Sequence, residues 1–157
     1  MNQSDYDLLN SQLHALLDNE HDALAASGNF VALLYNALDD VNWLGIYVLR
    51  DDELVLGPFQ GKPACTRIAL DEGVCGAAAS TLQTQRVADV QAFPGHNVCD
   101  PDSRSELVVP LFSHGQLIGV LDIDSPITRR FSETDQAGVE KLCDSFCEQQ
   151  EKRKYFI

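Results

Sequence analysis

A cysteine lies in the middle of a polar loop, in the stretch HNVCDPDSRSE at residues 96–106. An unpaired cysteine is usually buried among apolar side chains, so Cys99, with aspartate, asparagine, serine and arginine around it, needs another explanation. A thiol in a polar and accessible setting can ionise and act as a nucleophile. We therefore interpret Cys99 as a redox nucleophile, which the fold presents to a small pocket lined by acidic residues.

Two of the other cysteines also stand at positions suited to reactivity. Cys65 ends a loop rich in proline and glycine, and Cys75 begins a predicted helix. Both settings can lower the pKa of a thiol and expose it. Cys143 and Cys147, by contrast, lie in line with apolar residues of the last predicted helix, which is typical of a hydrophobic core.

A structural zinc site is the main rival explanation for the cysteines in loops. Its ligands would be Cys65, Cys75, Cys99 and His96. The intervals between these cysteines far exceed the two to four residues that separate paired zinc ligands. We therefore expect no metal.

Acidic residues form the second group that could do chemistry. Asp122 and Asp124 alternate on one predicted strand, so both side chains point to the same face, where their charges repel each other. An exposed strand end is the simpler explanation. The functional one is that they bind a cationic group or share a proton, joined by Glu106 from the neighbouring strand. Crowded carboxyl groups have raised pKa values, so one of them can stay protonated and donate a hydrogen bond.

Two aromatic residues complete the predicted pocket. Trp43 and Tyr47 are four residues apart on one strand and share a face. Core packing is the commoner role for such a pair. An aromatic wall could equally hold a methyl or thioether group of a ligand.

The composition limits the classes of partner. The chain has 157 residues with 24 acidic and 11 basic side chains, a formal charge of −13. This balance argues against nucleic acid or an anionic membrane and favours a cationic or zwitterionic ligand. The first residues lack a signal peptide pattern, and no apolar run is long enough to cross a membrane. With five cysteines, an odd number, we expect reduced thiols and a cytoplasmic location.

The elements that must position these residues follow from periodicity and turn signals. Ser4 and Asn29 are predicted N-caps, and Gly28 is predicted to end the first helix. Helices are predicted over residues 5–26, 30–39, 73–82 and 133–150. Strands are predicted over 41–49, 53–56, 66–70, 86–90, 106–112 and 116–124, with loops at 57–65 and 91–103 and the last two strands forming a central hairpin. This order indicates one α+β domain, residues 1–157, with a mostly antiparallel sheet and helices on one face.

Five motifs occur in a fixed order along the chain: GPFQGKPACTRI (57–68), GVCGAAA (73–79), VADVQAFPGHNVCD (87–100), SELVVPL (105–111) and IGVLDIDSP (118–126). Together they resemble the free methionine-(R)-sulfoxide reductases, a catalytic branch of the GAF domain superfamily. With the flanking helices, the resemblance covers nearly the whole chain. It departs from the family pattern at Asn97-Val98, where the family has Ile-Ala, and at Pro101. The resemblance implies a GAF-like sheet of about six strands with the N- and C-terminal helices on one face.

The resemblance also implies a role for each candidate residue. Cys99 would be the nucleophile, Cys65 the resolving cysteine and Cys75 an alternate resolving cysteine. The substrate-binding residues would be Trp43, Tyr47, Glu106, Asp122 and Asp124. Neither a metal nor an organic cofactor would be needed, because an external dithiol such as thioredoxin would serve as reductant.

The resemblance implies the reaction, and the cysteines, acids and aromatic residues chosen from the sequence fit it. Free methionine-(R)-sulfoxide would be reduced to methionine, leaving a sulfenic acid on Cys99 that condenses with Cys65 to a disulfide. Two alternatives come from other functional classes: a GAF-type sensor that binds a small ligand without turnover, and a thiol redox switch without a substrate. Relatives of this fold often dimerise through terminal helices, and the apolar first helix is compatible with a homodimer.

Overall fold

The computed structural model describes residues 1–96, 99–153 and 155–157. Its helices are α1 (Gln3–Leu17), α2 (Ala23–Ala37), α3 (Gly73–Thr81) and α4 (Glu133–Gln150), with a short 3-10 helix at Val90–Ala92. Its strands are β1 (Trp43–Arg50), β2 (Glu53–Gln60), β3 (Arg67–Ala69), β4 (Gln85–Val87), β5 (Ser105–Ser113) and β6 (Gln116–Ser125). No helix in these three ranges is both long and apolar enough to cross a membrane.

The strands form one antiparallel sheet in the order β3-β2-β1-β6-β5-β4. The α+β class and the sheet of about six strands are therefore confirmed. The predicted hairpin of the last two strands is confirmed as well, with His114 and Gly115 both at positive φ in its turn. The central pair of strands, however, is β1 and β6, and β5 lies one position from the edge.

The two faces of the sheet are covered differently. Helices α1, α2 and α4 pack on one face, against alternate residues of β1, β5 and β6 such as Leu44, Leu107 and Leu121. This confirms the predicted placement of the N- and C-terminal helices. The opposite face carries Trp43 and Tyr47 and is covered by α3 and the cysteine-bearing loops. The candidate site lies on this second face.

The predicted boundary between the first two helices was wrong. Helix α1 is capped by Asn2 instead of Ser4, and a new helix, capped by Asp22, begins long before Gly28. Asn29 consequently lies inside α2 and caps nothing. The prediction of one helix over residues 5–26 failed because two of the leucines that suggested it, Leu16 and Leu24, are exposed and do not belong to a core stripe.

Several strand ends also differ from prediction. The loop expected from residue 57 is strand as far as Gln60, because Pro58 falls at a bulge where the register between β1 and β2 shifts and no ladder hydrogen bond is required of it. The strand expected over 86–90 ends at Val87. There the Asp89 carboxylate accepts a hydrogen bond from the backbone N–H of Gln91 and starts the 3-10 helix.

The last helix agrees with prediction. Ser132 and Asp135 form the expected capping box at the start of α4. The Asp135 carboxylate also accepts a hydrogen bond of 2.7 Å from the hydroxyl of Tyr6 on α1. Gly138 faces the Tyr6 ring so closely that a Cβ there would collide with it. The two terminal helices are therefore closely joined on the face away from the site.

Candidate active site

The nucleophile candidate is joined to a second cysteine. Cys65 and Cys99 form a disulfide, with a sequence separation of 34 and 5.4 Å between their Cα atoms. Cys65 lies between β2 and β3, and Cys99 in the long connection from β4 to β5. Asn97 and Val98, the departure from the family pattern, lie outside the described residues.

Polar contacts hold the Cys99 connection against the sheet. The side-chain amide of Asn42 donates a hydrogen bond of 3.1 Å to the carboxylate of Asp100. The backbone N–H of Gly73 on α3 donates to the carbonyl of Gly95, at 3.1 Å. An ion pair between Lys62 and Asp102, at 2.8 Å, links the two cysteine-bearing segments, but both side chains are exposed. Exposed ion pairs of this kind are weak, so the disulfide is the stronger link between the two segments.

Strand register brings the predicted carboxylates together. Glu106 on β5 is paired with Asp124 on β6, and Asp122 lies two residues away on the same face. All three residues are buried, with at most 9% of their surface exposed. The explanation of the two aspartates as an exposed strand end is therefore wrong, and their shared face is confirmed.

Burial changes the acidity of the trio. Burial, together with the charges of neighbouring acids, raises the pKa of Glu106 and of Asp124 well above the usual range of a carboxyl group. Burial raises the pKa of Asp122 to about 6. One Asp122 oxygen, Oδ1, has no hydrogen-bond partner among the described residues. Burial thus favours the protonated form of Glu106 and Asp124, whereas Asp122 titrates near pH 6.

The thiol of Cys75 is not the exposed, acidic group expected from its position near a helix start. Cys75 is only 4% exposed, and its Sγ lies 3.9 Å from Oε1 of Glu106. Burial, followed by the charges of Asp122 and Glu106, raises the pKa of this thiol well above its usual value. The expectation of a lowered pKa was wrong because the side chain faces the acids across the pocket, where a thiolate would be destabilised.

The aromatic wall is present on the predicted face. The Trp43 and Tyr47 rings stack with centroids 5.8 Å apart, and the ring of Phe59 on β2 also stacks with that of Trp43, at 5.4 Å. Tyr47 donates a hydrogen bond of 2.9 Å to the carbonyl of Cys65, and Trp43 donates one of 3.1 Å to that of Lys62. The wall therefore also fixes the segment that carries Cys65.

One pocket brings most of the predicted residues together. Its lining includes Trp43, Tyr47, Cys75, Cys99, Glu106, Asp122 and Asp124. Cys65 is outside the lining, which includes its neighbours Pro63 and Ala64, although its sulfur is bonded to that of Cys99. None of the described residues that line the pocket is a lysine or an arginine. The pocket thus offers a thiol-derived sulfur, an apolar wall and an acidic floor.

Comparison with known proteins decides the family. The GAF domain family matches residues 10–147. The free methionine-R-sulfoxide reductase of Escherichia coli is 50% identical over 143 residues, which are 90% of this chain and 87% of that protein. The chain belongs to the free methionine-R-sulfoxide reductases of the GAF domain family.

Solved structures support this membership of the free methionine-R-sulfoxide reductases. The enzyme of that name from Neisseria meningitidis, in complex with its substrate, is 42% identical, with a TM-score of 0.89 over 93% of this chain and 88% of that one. A protein from Burkholderia vietnamiensis, described as a candidate GAF sensor, is 51% identical, with a TM-score of 0.92 over 97% of this chain and 99% of its own. The fold thus occurs in a family that includes a substrate complex.

Sequence reasoning assigned no role in the substrate pocket to several of its lining residues, among them His96, which was considered only as a zinc ligand. His96 is part of the lining, and its Nδ1 is buried without a hydrogen-bond partner among the described residues. Burial lowers the pKa of this imidazole. Asp100 and Ser103, which flank the nucleophile candidate, also line the pocket. Their role in the pocket could have been predicted from their closeness in sequence to Cys99, because the sequence already indicated a functional loop there.

Within the part of the chain that the structure describes, one group of donor atoms could hold a metal ion. Cys75, Glu106 and Asp122 each offer one atom, and these atoms lie within 4.8 Å of one another. This set differs from the zinc site considered from the sequence. Two of the four ligands of that site, Cys65 and Cys99, are joined in the disulfide and cannot act as thiolates here.

Proposed function

We propose that this chain reduces free methionine-(R)-sulfoxide to methionine, with Cys99 as the nucleophile and Cys65 as the resolving cysteine. The observation that carries the proposal is the disulfide between these two residues beside a pocket floored by buried acids. Cys99 lines that pocket and Cys65 does not, which suits the first for attack on a substrate and the second for resolution. Membership of the reductase family supports the same assignment.

Substrate binding would use the charge and shape of the pocket. Asp122, whose pKa is about 6 because of burial, is ionised at neutral pH and would accept the substrate ammonium through its unpartnered Oδ1. The rings of Trp43 and Tyr47 would hold the thioether methyl group. A zwitterionic amino acid, whose ammonium group can face the acids, suits a pocket without lysine or arginine among its described lining residues.

The chemical step needs one proton and one nucleophile. Glu106 or Asp124, kept protonated by burial, would donate a hydrogen bond to the sulfoxide oxygen. The Cys99 thiolate attacks the sulfur, and the oxygen, with this proton, is transferred to Cys99. Methionine leaves, and Cys99 is left as a sulfenic acid.

Formation of the disulfide and its later reduction return both cysteines to thiols. The Cys65 thiol attacks the sulfenic acid, so the disulfide forms and water is released. An external dithiol, for which we propose thioredoxin, then reduces the disulfide and is itself oxidised. No metal or organic cofactor enters these steps. We further propose a cytoplasmic setting, where such reductants occur, a single GAF-like domain spanning 1–157, and a homodimer formed through terminal helices.

Selectivity tests the proposed function directly. Free methionine sulfoxide should be reduced and a peptide containing methionine sulfoxide should not, because a peptide bond removes the ammonium and leaves the acids of the pocket unpaired. The measurement is thioredoxin-coupled oxidation of NADPH with the separate R and S epimers of each compound. Turnover confined to the free R epimer is expected. Equal turnover of the peptide would contradict the proposal.

Substrate affinity should depend on the ionisation of Asp122. Because the pKa of this group is about 6, the dissociation constant should rise by up to about tenfold for each pH unit below that value, as the carboxylate is protonated. Calorimetry on the Cys99→Ser protein measures binding without turnover. In the Asp122→Asn variant this dependence should disappear. An unchanged pH profile in that variant would exclude Asp122 as the ammonium ligand.

Replacement of Cys65 should separate reduction from recycling. The Cys65→Ser protein should release one methionine per chain and then stop with thioredoxin, because its sulfenic acid has no partner thiol in that position. Quench-flow measurement of methionine, together with a sulfenic acid trap, detects this state. Sustained turnover with thioredoxin would assign resolution to another cysteine, with Cys75 the first to test.

A thiol redox switch is a second candidate, because the disulfide alone would satisfy it. The oxidant separates the two functions. A switch should form the disulfide with peroxide and remain reduced in methionine sulfoxide. A reductase should form the disulfide with the R epimer at a rate that saturates with its concentration.

A further inference from the structure

One thiol and two carboxyl groups lie together on the pocket floor, and reduction of a sulfoxide does not require this combination of metal-ligand types. The geometry points to a site for a thiophilic divalent cation, with Zn²⁺ the best match, formed by Cys75 Sγ and one oxygen each of Glu106 and Asp122. Occupation of this site would exclude the substrate ammonium and so inhibit the enzyme. The metal is thus an inhibitor, and the proposed reaction needs none.

The distances fit a small tetrahedral ion. The three donor atoms lie within 4.8 Å of one another, and Cys75 Sγ is 3.9 Å from Glu106 Oε1. A sulfur about 2.3 Å and an oxygen about 2.1 Å from tetrahedral zinc are about 3.6 Å apart. Small side-chain rotations would therefore bring the donors to bonding distance.

An unpartnered atom points to a ligand independently of the cluster. Asp122 is 6% exposed, yet its Oδ1 has no hydrogen-bond partner among the described residues, and its side chain lines the pocket. A buried oxygen without a partner is costly, and coordination of a cation would compensate that cost. The donors come from α3, β5 and β6, so three regular elements fix their positions.

The sulfur distinguishes a metal from an ammonium group. An ammonium ion is bound by carboxylates alone and gains little from a thiol, whereas thiolate is a preferred ligand of Zn²⁺. On binding, Cys75 and any protonated carboxyl group release their protons to solvent, and the new Zn–S and Zn–O bonds replace the S–H and O–H bonds. Three protein donors would leave the fourth position of a tetrahedral ion for water. Coordination of the metal would thus give the buried Cys75 thiol a function in the pocket.

Metal binding can be measured without turnover. Co²⁺ alone is titrated into the protein with its Cys65–Cys99 disulfide intact, and thiolate-to-cobalt charge-transfer absorption is recorded in the near ultraviolet. We expect this band to saturate at one equivalent and to vanish on addition of Zn²⁺. The band should be lost in Cys75→Ser and kept in Cys143→Ser, a matched change of a buried cysteine on the other face of the sheet. Near-ultraviolet circular dichroism checks that each variant is folded.

Two outcomes would overturn the site: absence of the band in excess Co²⁺, or its persistence in Cys75→Ser. If Cys75→Ser does not fold, Asp122→Asn provides the test. That variant keeps the thiol, so the band should remain but require more Co²⁺ to saturate, and an unchanged titration would exclude Asp122 as a ligand. Only the inhibitory consequence rests on the proposed function, and it predicts that Zn²⁺ raises the apparent KM for the sulfoxide. Cobalt binding through Cys75 in a protein that fails to reduce the sulfoxide would uphold the site and reject that function.

Discussion

Replacement of Cys99 by serine should abolish even a single turnover. A serine hydroxyl is hardly ionised at neutral pH and is a far poorer nucleophile toward sulfur than a thiolate. We expect a loss on the order of 10⁴-fold or more, as is found when a covalent nucleophile is removed from other enzymes. Methionine released from the free R epimer by excess reduced protein is the measurement.

The control for this variant is Cys143→Ser. Cys143 is buried in the core cluster on the opposite face of the sheet, so its replacement leaves the pocket and the disulfide intact. Full activity of this control would show that the loss belongs to position 99. Release of one methionine per Cys99→Ser chain would show that another group attacks the sulfoxide.

Glu106→Gln should lower kcat by about 10²–10⁴-fold, the range that general acid catalysis contributes. The amide keeps the shape of the side chain and can still donate a hydrogen bond, but it cannot deliver a proton. Burial and the neighbouring acids raise the pKa of Glu106 well above its usual range, which favours the protonated form that the proposed step requires. Single-turnover kinetics with the reduced protein separate this chemical step from recycling.

Asp124→Asn should be measured beside it, because the pKa of Asp124 is also raised and either acid could supply the proton. Glu133→Gln is the control for removal of a carboxylate, since Glu133 is exposed at the start of α4. A kcat unchanged in both Glu106→Gln and Asp124→Asn would refute proton donation by the buried trio. An effect on KM alone would assign these residues to binding.

The acidic floor and the aromatic wall could be predicted because strands alternate their faces. Once 116–124 is recognised as a strand, Asp122 and Asp124 must share a face, and the same holds for Trp43 and Tyr47 on β1. The hairpin of β5 and β6 then places Glu106 beside the aspartates. These predictions needed only local periodicity and one turn.

The remaining features depend on contacts distant in sequence. Nothing in the local pattern around Cys75 shows that its thiol faces buried carboxylates, so its pKa was predicted in the wrong direction. The strand character of Pro58 depends on a bulge opposite β1, which no turn signal announces. The helix boundary near Asp22 was missed because the apolar spacing continues across it on exposed leucines.

Disulfide mapping after one turnover tests the assignment of Cys99 as nucleophile and Cys65 as resolving cysteine. Fully reduced protein is mixed with one equivalent of free methionine-(R)-sulfoxide, quenched with an alkylating reagent under denaturing conditions and digested for mass spectrometry. We expect one methionine per chain together with a peptide pair linked through Cys65 and Cys99, while Cys75 is alkylated. Release of methionine with both Cys65 and Cys99 alkylated as thiols would contradict it.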